Sequence, residues 1–132
     1  MPEVSTSRVP LIRVRVANDK SVSRDADFVL YWMTAYRRVS WNFSLQRAIG
    51  WAQHLGKPLV ILEALRCDYS WASDRFHAFV IQGMADIASL LKNKPVLYYP
   101  FLETQVGEGK GLLLELAGRA AVVVTDEFPC FF

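Results

Sequence analysis

A doubly wound, Rossmann-like α/β fold follows from three features of this 132-residue chain: its apolar runs, the helical patterns between them, and their order. Phe28–Met33, Leu59–Leu62, Val96–Tyr99 and Ala121–Thr125 are nearly unbroken apolar runs. Such runs suit strands buried on both faces, as in a parallel sheet covered by helices. Segments with apolar residues at three- and four-residue steps lie between them. The alternation strand, helix, strand, helix, strand, helix, strand predicts a parallel sheet of about four strands. Right-handed crossovers place helices on both faces. The expected strand order is 3-2-1-4, which sets the first and fourth strands side by side.

Before the first strand the chain is polar and basic. Arg8, Arg13, Arg15, Lys20 and Arg24 face only Glu3 and Asp19 there. Residues 1–17 are expected to be a flexible basic arm, and residues 18–132 the α/β domain. Val9 to Val16 alternates in polarity and suits either a short edge strand or an extended arm; the arm is favoured. After strand one, Asn42 is placed to cap a helix. Leu45, Ala48, Ile49, Ala52 and Leu55 form its expected inner face. Gly56 should terminate it, and Pro58 prevents its continuation.

Lys57–Met84 forms the centre of the chain. A strand over Leu59–Leu62 is followed by a connector with Cys67, Asp68 and Tyr69. Ser73 or Asp74 then caps a long helix. Phe76, Phe79, Val80, Gly83, Met84, Ile87, Leu90 and Leu91 make one continuous apolar face on it. Val96–Tyr99 is the third strand, closed by Pro100. A loop with Gly107, Gly109 and Gly111 leads to a third helix with Leu112, Leu113, Leu116 and Ala117 inward. The fourth strand follows, with Asp126 and Glu127 at its carboxyl edge.

Composition narrows the function classes. Apolar residues make up 52% of the chain, enough to fill a core, and a charged fraction of 21% argues against disorder. A net charge of +2 is no strong polyanion signal. Cys67 and Cys130 form no CxxC or Cys/His cluster, so a reduced, soluble, cytoplasmic protein is expected. No segment approaches membrane-spanning length.

Gly107–Gly111 opens a helix after a strand, and its amides could hold an anion near Lys110. It matches neither GxGxxG nor GxxxxGK[ST], so a flexible helix entry is favoured. His54 and His77 have no partner at metal-ligand spacing, and no metal site is expected. Ser73, Asp74 and His77 read as helix-start residues rather than a catalytic triad, and no catalytic residue is assigned. The more informative group is Arg37, Arg38, Asn42, Asp126 and Glu127, at the carboxyl ends of strands one and four. Ligands of doubly wound folds bind at such a switch point. Trp32, Met33 and Phe128 would supply its apolar walls.

Three segments carry a resemblance. One is Asp27–Met33 followed by Arg37-Arg38, Asn42, Leu45 and Ala48. The second is Lys57–Leu65, then Ser73-Asp74-Arg75-Phe76-His77 and Gly83-Met84. The third is Tyr98-Tyr99-Pro100-Phe101 with the glycine-rich loop, Ala121–Asp126 and Pro129. Together they resemble the N-terminal α/β domain of DNA photolyases, specifically of class II cyclobutane pyrimidine dimer photolyases. The resemblance covers nearly the whole chain from Asn18.

The resemblance implies an enzyme in which light-excited reduced FAD donates an electron to a pyrimidine dimer. FAD and the dimer pocket belong to a helical C-terminal domain absent from these residues. The α/β domain would pack on that domain and, in some members, hold an antenna chromophore, a deazaflavin or a folate. The expected antenna site is Trp32, Met33, Arg37, Arg38, Asp126, Glu127 and Phe128. Contact with damaged DNA would come through the helical domain, and these residues alone would be inactive. A family fifth strand is not found here, so the domain is expected to be cut short after Phe132, leaving strand four as an exposed edge for self-association. Two other readings stay open: a free-standing interaction module, and a small nucleotide-binding protein using Lys110.

Overall fold

The computed structural model describes residues 8–130. After a short 3-10 turn at Leu11–Arg13 come β1 (Phe28–Met33), α1 (Phe43–Leu55), β2 (Leu59–Leu65) and α2 (Asp74–Leu91). These are followed by β3 (Val96–Leu102), α3 (Leu112–Arg119) and β4 (Ala120–Thr125). The four strands form one parallel sheet in the order β3-β2-β1-β4, as expected.

The two central strands hold the core. Val29, Leu30, Tyr31, Met33 and Ile61 are fully buried. Side chains alternate across a strand, so they divide between two layers. Val29, Tyr31, Met33, Leu59 and Ile61 pack with Leu45, Ala48 and Trp51 of α1 and Ile87 of α2. Phe28, Leu30, Val60 and Leu62 meet Leu112, Leu113 and Leu116 of α3 on the other face. Helices therefore cover both faces, α1 and α2 on one and α3 on the other.

The helix ends follow local chemistry. The Asn42 side chain accepts from the Leu45 N–H and caps α1, while Gly56 ends it in the left-handed region at φ 62°. Ser73 accepts from the Phe76 N–H and caps α2, with Asp74 in the first turn. These residues act as helix-start groups.

Several boundaries and faces differ from expectation. On α1, Trp51 is buried while Ile49 is exposed, so the helix is rotated toward Trp51. β3 does not stop at Pro100 but runs to Leu102. Its position at the sheet edge explains this, because an edge proline need not break the ladder. On α2 only Met84 and Ile87 are buried, whereas Phe76, Leu90 and Phe79, the last at 77% exposure, stand in solvent. The sheet beneath α2 is the narrow β2–β3 half, too small to cover an apolar face of five turns.

The described part of the basic arm lies on the domain. Val9 is buried, Val22 packs on the α1-side core, and Arg13 sits 4.7 Å from the Phe43 ring centroid. Arg15 pairs with Glu127, and the Ser23 N–H donates to the Ala121 carbonyl. The arm thus flanks β4, which is an edge strand as expected. Met1–Ser7 and the final Phe131 and Phe132 lie outside the described residues.

The contrast on α2 can be measured. Ile87→Ala should lower unfolding stability by about 2–5 kcal/mol. Phe79→Ala, at a solvent position, should change it by less than about 0.5 kcal/mol in the same denaturant titration.

Candidate functional site

The carboxyl ends of the strands carry two cavities, on opposite faces of the sheet. Parallel strands direct their following loops to this end, where open α/β sheets bind ligands. The two are separated by the sheet itself and by two polar knots.

The first knot is built on Asp126, which is buried just past β4. Its carboxylate accepts from the Thr34 N–H at 3.0 Å, the Ala35 N–H at 2.9 Å and the Tyr36 N–H at 3.1 Å. It also accepts from the Thr34 hydroxyl, and from the Tyr31 hydroxyl at 2.9 Å. Asn42 donates in turn to the Tyr31 oxygen at 2.9 Å and to the carbonyls of Tyr36 and Arg38. Burial alone would raise the Asp126 pKa. The hydrogen bonds from Thr34, Ala35, Tyr36 and Tyr31 outweigh it and hold the carboxyl below its ordinary value. Burial pushes the Tyr31 phenol far up, so it stays a donor.

The second knot surrounds Glu63, which is 1% exposed near the end of β2. It accepts from the Tyr98 hydroxyl at 2.6 Å and from Arg37 Nη1 at 2.9 Å. Arg37 Nη2 donates to the Ala64 carbonyl. Burial first, then the bond to Glu63, drives the Tyr98 pKa upward.

The cavity on the α3 face, about 420 Å³, is apolar. Trp32, Leu62, Phe101, Leu112 and Leu113 wall it, and Arg66 and Lys110 stand at its rim beside Glu103. The glycine-rich loop forms one side. Its amides are engaged: Gly109 N–H donates to Glu103, and Lys110 N–H to the Gly107 carbonyl. The Gly109 N–H is the main reason the Glu103 pKa is lowered. Thr104 does the same for Glu108. A Cβ at Gly109 would lie 3.0 Å from Phe101 Cε1, so the loop approaches the wall closely there.

The cavity on the α1 face, about 440 Å³, is cationic and aromatic. Arg13, Arg15, Arg38, Tyr36, Trp41 and Phe43 line it, with Glu127 at its edge.

The residues expected to form one crevice are therefore divided. Arg38 and Glu127 line the α1-side cavity, and Trp32 lines the α3-side one. Met33 faces the α1-side core, fully buried. Arg37 and Asp126 are held in the two knots, and Phe128 is half exposed beyond β4. Trp32 and Met33 are consecutive in a strand, so they cannot wall the same cavity. Buried Glu63 was not singled out from the sequence; a carboxylate within the run Leu59–Leu65 was its signal. Trp41 was also missed. His77 lies 5.5 Å from the Tyr69 ring, and His54 packs edge-on to Trp51. Among the described residues no three His, Cys, Asp or Glu side chains converge as metal ligands, and no helix is long and apolar enough to cross a membrane.

Comparison with known proteins adds identity to this geometry. No family model matches the chain. Over 114 residues it is 33% identical to a deoxyribodipyrimidine photo-lyase of Methanothermobacter thermautotrophicus. The aligned region is 86% of this chain and 25% of that protein, so the chain spans about a quarter of the relative's length. The photolyase resemblance drawn from the sequence is borne out: the chain is a homologue of that protein over this segment.

The Asp126 knot has a pH signature. A carboxylate with a depressed folded-state pKa stabilises fully above its unfolded value and loses that contribution as pH falls through the folded value. For Asp126 the stabilisation should be complete well above pH 3.8, the ordinary Asp value, and decline below it. Asp126→Asn should lower stability by at least about 2 kcal/mol at neutral pH, since it confronts N–H donors with an amide. Denaturant titrations from pH 7 to pH 2.5 should show the variant with the shallower acid limb.

Proposed function

We propose that this homologue of a photolyase segment is the structural and light-gathering α/β domain of a DNA photolyase. In this reading a helical FAD-binding domain supplies catalysis. There reduced FAD, excited by light, passes an electron to a cyclobutane pyrimidine dimer, and the electron returns once the ring has split. The α/β domain supports that domain and carries an antenna chromophore, a deazaflavin or a folate. The exposed rings of Phe76 and Phe79 on α2 give a neighbouring domain apolar surface to cover.

The observation that carries the antenna reading is the apolar cavity at the strand ends, taken with the photolyase homology. Its volume of about 420 Å³ lies in the usual range for small-molecule sites. Trp32 and Phe101 supply aromatic walls that suit a planar chromophore. Arg66 and Lys110 at the rim suit an anionic side chain. Of the residues expected from the sequence, Trp32 belongs to this site. Arg38 and Glu127 do not line it. The nucleotide-binding alternative is weaker, because Glu103 and neighbouring carbonyls engage the loop amides a phosphate would need.

Titration of the 132-residue chain with an 8-hydroxy-5-deazaflavin, followed by fluorescence polarisation, should show saturable binding. Trp32→Ala should weaken it about tenfold, the size of one lost ring contact, and Lys110→Ala should weaken it less. Equal affinity for all three proteins would refute this placement. Under near-UV light with added FAD, the same chain should leave dimer-containing DNA unrepaired.

A further inference from the structure

The α1-side cavity is left unused by that reading, and its chemistry differs from that of an apolar chromophore pocket. Three arginines, Arg13, Arg15 and Arg38, line one mouth with a single carboxylate, Glu127, which Arg15 already pairs at 2.7 Å. The aromatic rings of Tyr36, Trp41 and Phe43 stand among them.

Trp41 is the distinctive member. It is 90% exposed, although a tryptophan has more apolar surface to hide than any other residue. It also has φ 51°, making it the one non-glycine residue with positive φ among those described. A large side chain is disfavoured there. Neither burial nor backbone preference accounts for a tryptophan at this position. The conformation is nonetheless fastened: Arg38 Nε and Nη2 donate to the Trp41 carbonyl at 3.3 and 3.1 Å, and Nε reaches the Ser40 carbonyl at 3.2 Å. Asn42, next in sequence, is buried and anchored to Tyr31. The turn is rigidly held while its ring projects into water.

We propose that this mouth is a contact surface for single-stranded nucleic acid. Guanidiniums track phosphates and exposed rings accept unstacked bases, the combination that sequence-tolerant single-strand binders use. A duplex presents its phosphates but keeps its base faces stacked, so it cannot use Trp41. Trp41 is the stacking platform, Arg13 and Arg15 are phosphate contacts, and Arg38 is the positioning residue that holds the turn. The inference does not rest on the chromophore reading, because the two cavities lie on opposite faces of the sheet and share no lining residue.

The test is fluorescence anisotropy of a labelled ten-residue oligothymidylate with the 132-residue chain, first at low salt and then through a salt titration. Binding is expected to saturate and to weaken with salt, with a log–log slope of roughly −1.4 for the two phosphates that Arg13 and Arg15 contact. Trp41→Gly separates function from structure. Glycine accepts positive φ freely, so this variant should melt at the same temperature or higher while binding the oligonucleotide roughly tenfold or more weakly. Its deazaflavin binding should be unchanged. Glu127→Gln, which releases Arg15, should tighten oligonucleotide binding. No anisotropy change at high micromolar protein would overturn the proposal. Equal binding by Trp41→Gly would do the same, as would a preference for duplex or competition by a polyglutamate peptide as effective as that by the oligonucleotide.

Discussion

The carboxylate of Asp126 is the fastening on which the carboxyl end of the sheet depends. β4 pairs with β1 over a short register that is interrupted by a bulge between Phe28 and Leu30. Beyond the last pair, three consecutive N–H groups of the β1–α1 loop converge on Asp126. Without it they would be partly buried donors with no partner, a costly state for backbone. Tyr31 reaches the same carboxylate from inside the core, and Asn42 ties Tyr31 to the start of α1. One network therefore runs from a core strand through the loop to a helix cap. The geometry of the α1-side cavity, which Tyr36, Arg38, Trp41 and Asn42 of that loop help to line, is set by how the loop is held.

Polar residues that invite a binding role are, in this fold, consumed by structure. Arg37 satisfies Glu63, and Glu63 satisfies Tyr98. Breaking such a buried pair leaves an uncompensated charge, which is strongly destabilising. The groups left to face solvent are of a different kind: an apolar pocket with cations at its rim on one face, and an open arginine-aromatic mouth on the other. The sheet partitions them because adjacent residues of a strand face opposite ways.

Much of the fold was legible because its signals are local. The apolar runs of β1 and β2, the caps Asn42 and Ser73, and the terminator Gly56 each act within a few residues. The α2 face was less legible, because periodicity shows which residues share a face, not how much sheet lies beneath it. Phe76 lies on the side of Met84 yet is mostly exposed, and Phe79, five residues before Met84 and so about 140° around the helix from it, points to solvent. The site was less legible, because its geometry rests on pairs such as Tyr31–Asp126 and Arg37–Glu63 that no local pattern announces. Alternation along β1 could have separated Trp32 from Met33 in advance. Nothing local distinguished Trp41, whose oddity lies in a backbone angle.

The Tyr31–Asp126 bond spans 95 positions of sequence. A ribosome adding about 5–20 residues per second releases β1 well before β4, by an interval on the order of 5–20 s. During that interval the most buried strand of the finished domain has its β4-side backbone groups unpaired, and the loop donors that Asp126 will satisfy are bare. An unpaired strand edge is a template for any neighbouring strand. The nascent chain is thus most vulnerable at its own centre, and the residue that ends the exposure is among the last to be made of those that build the sheet.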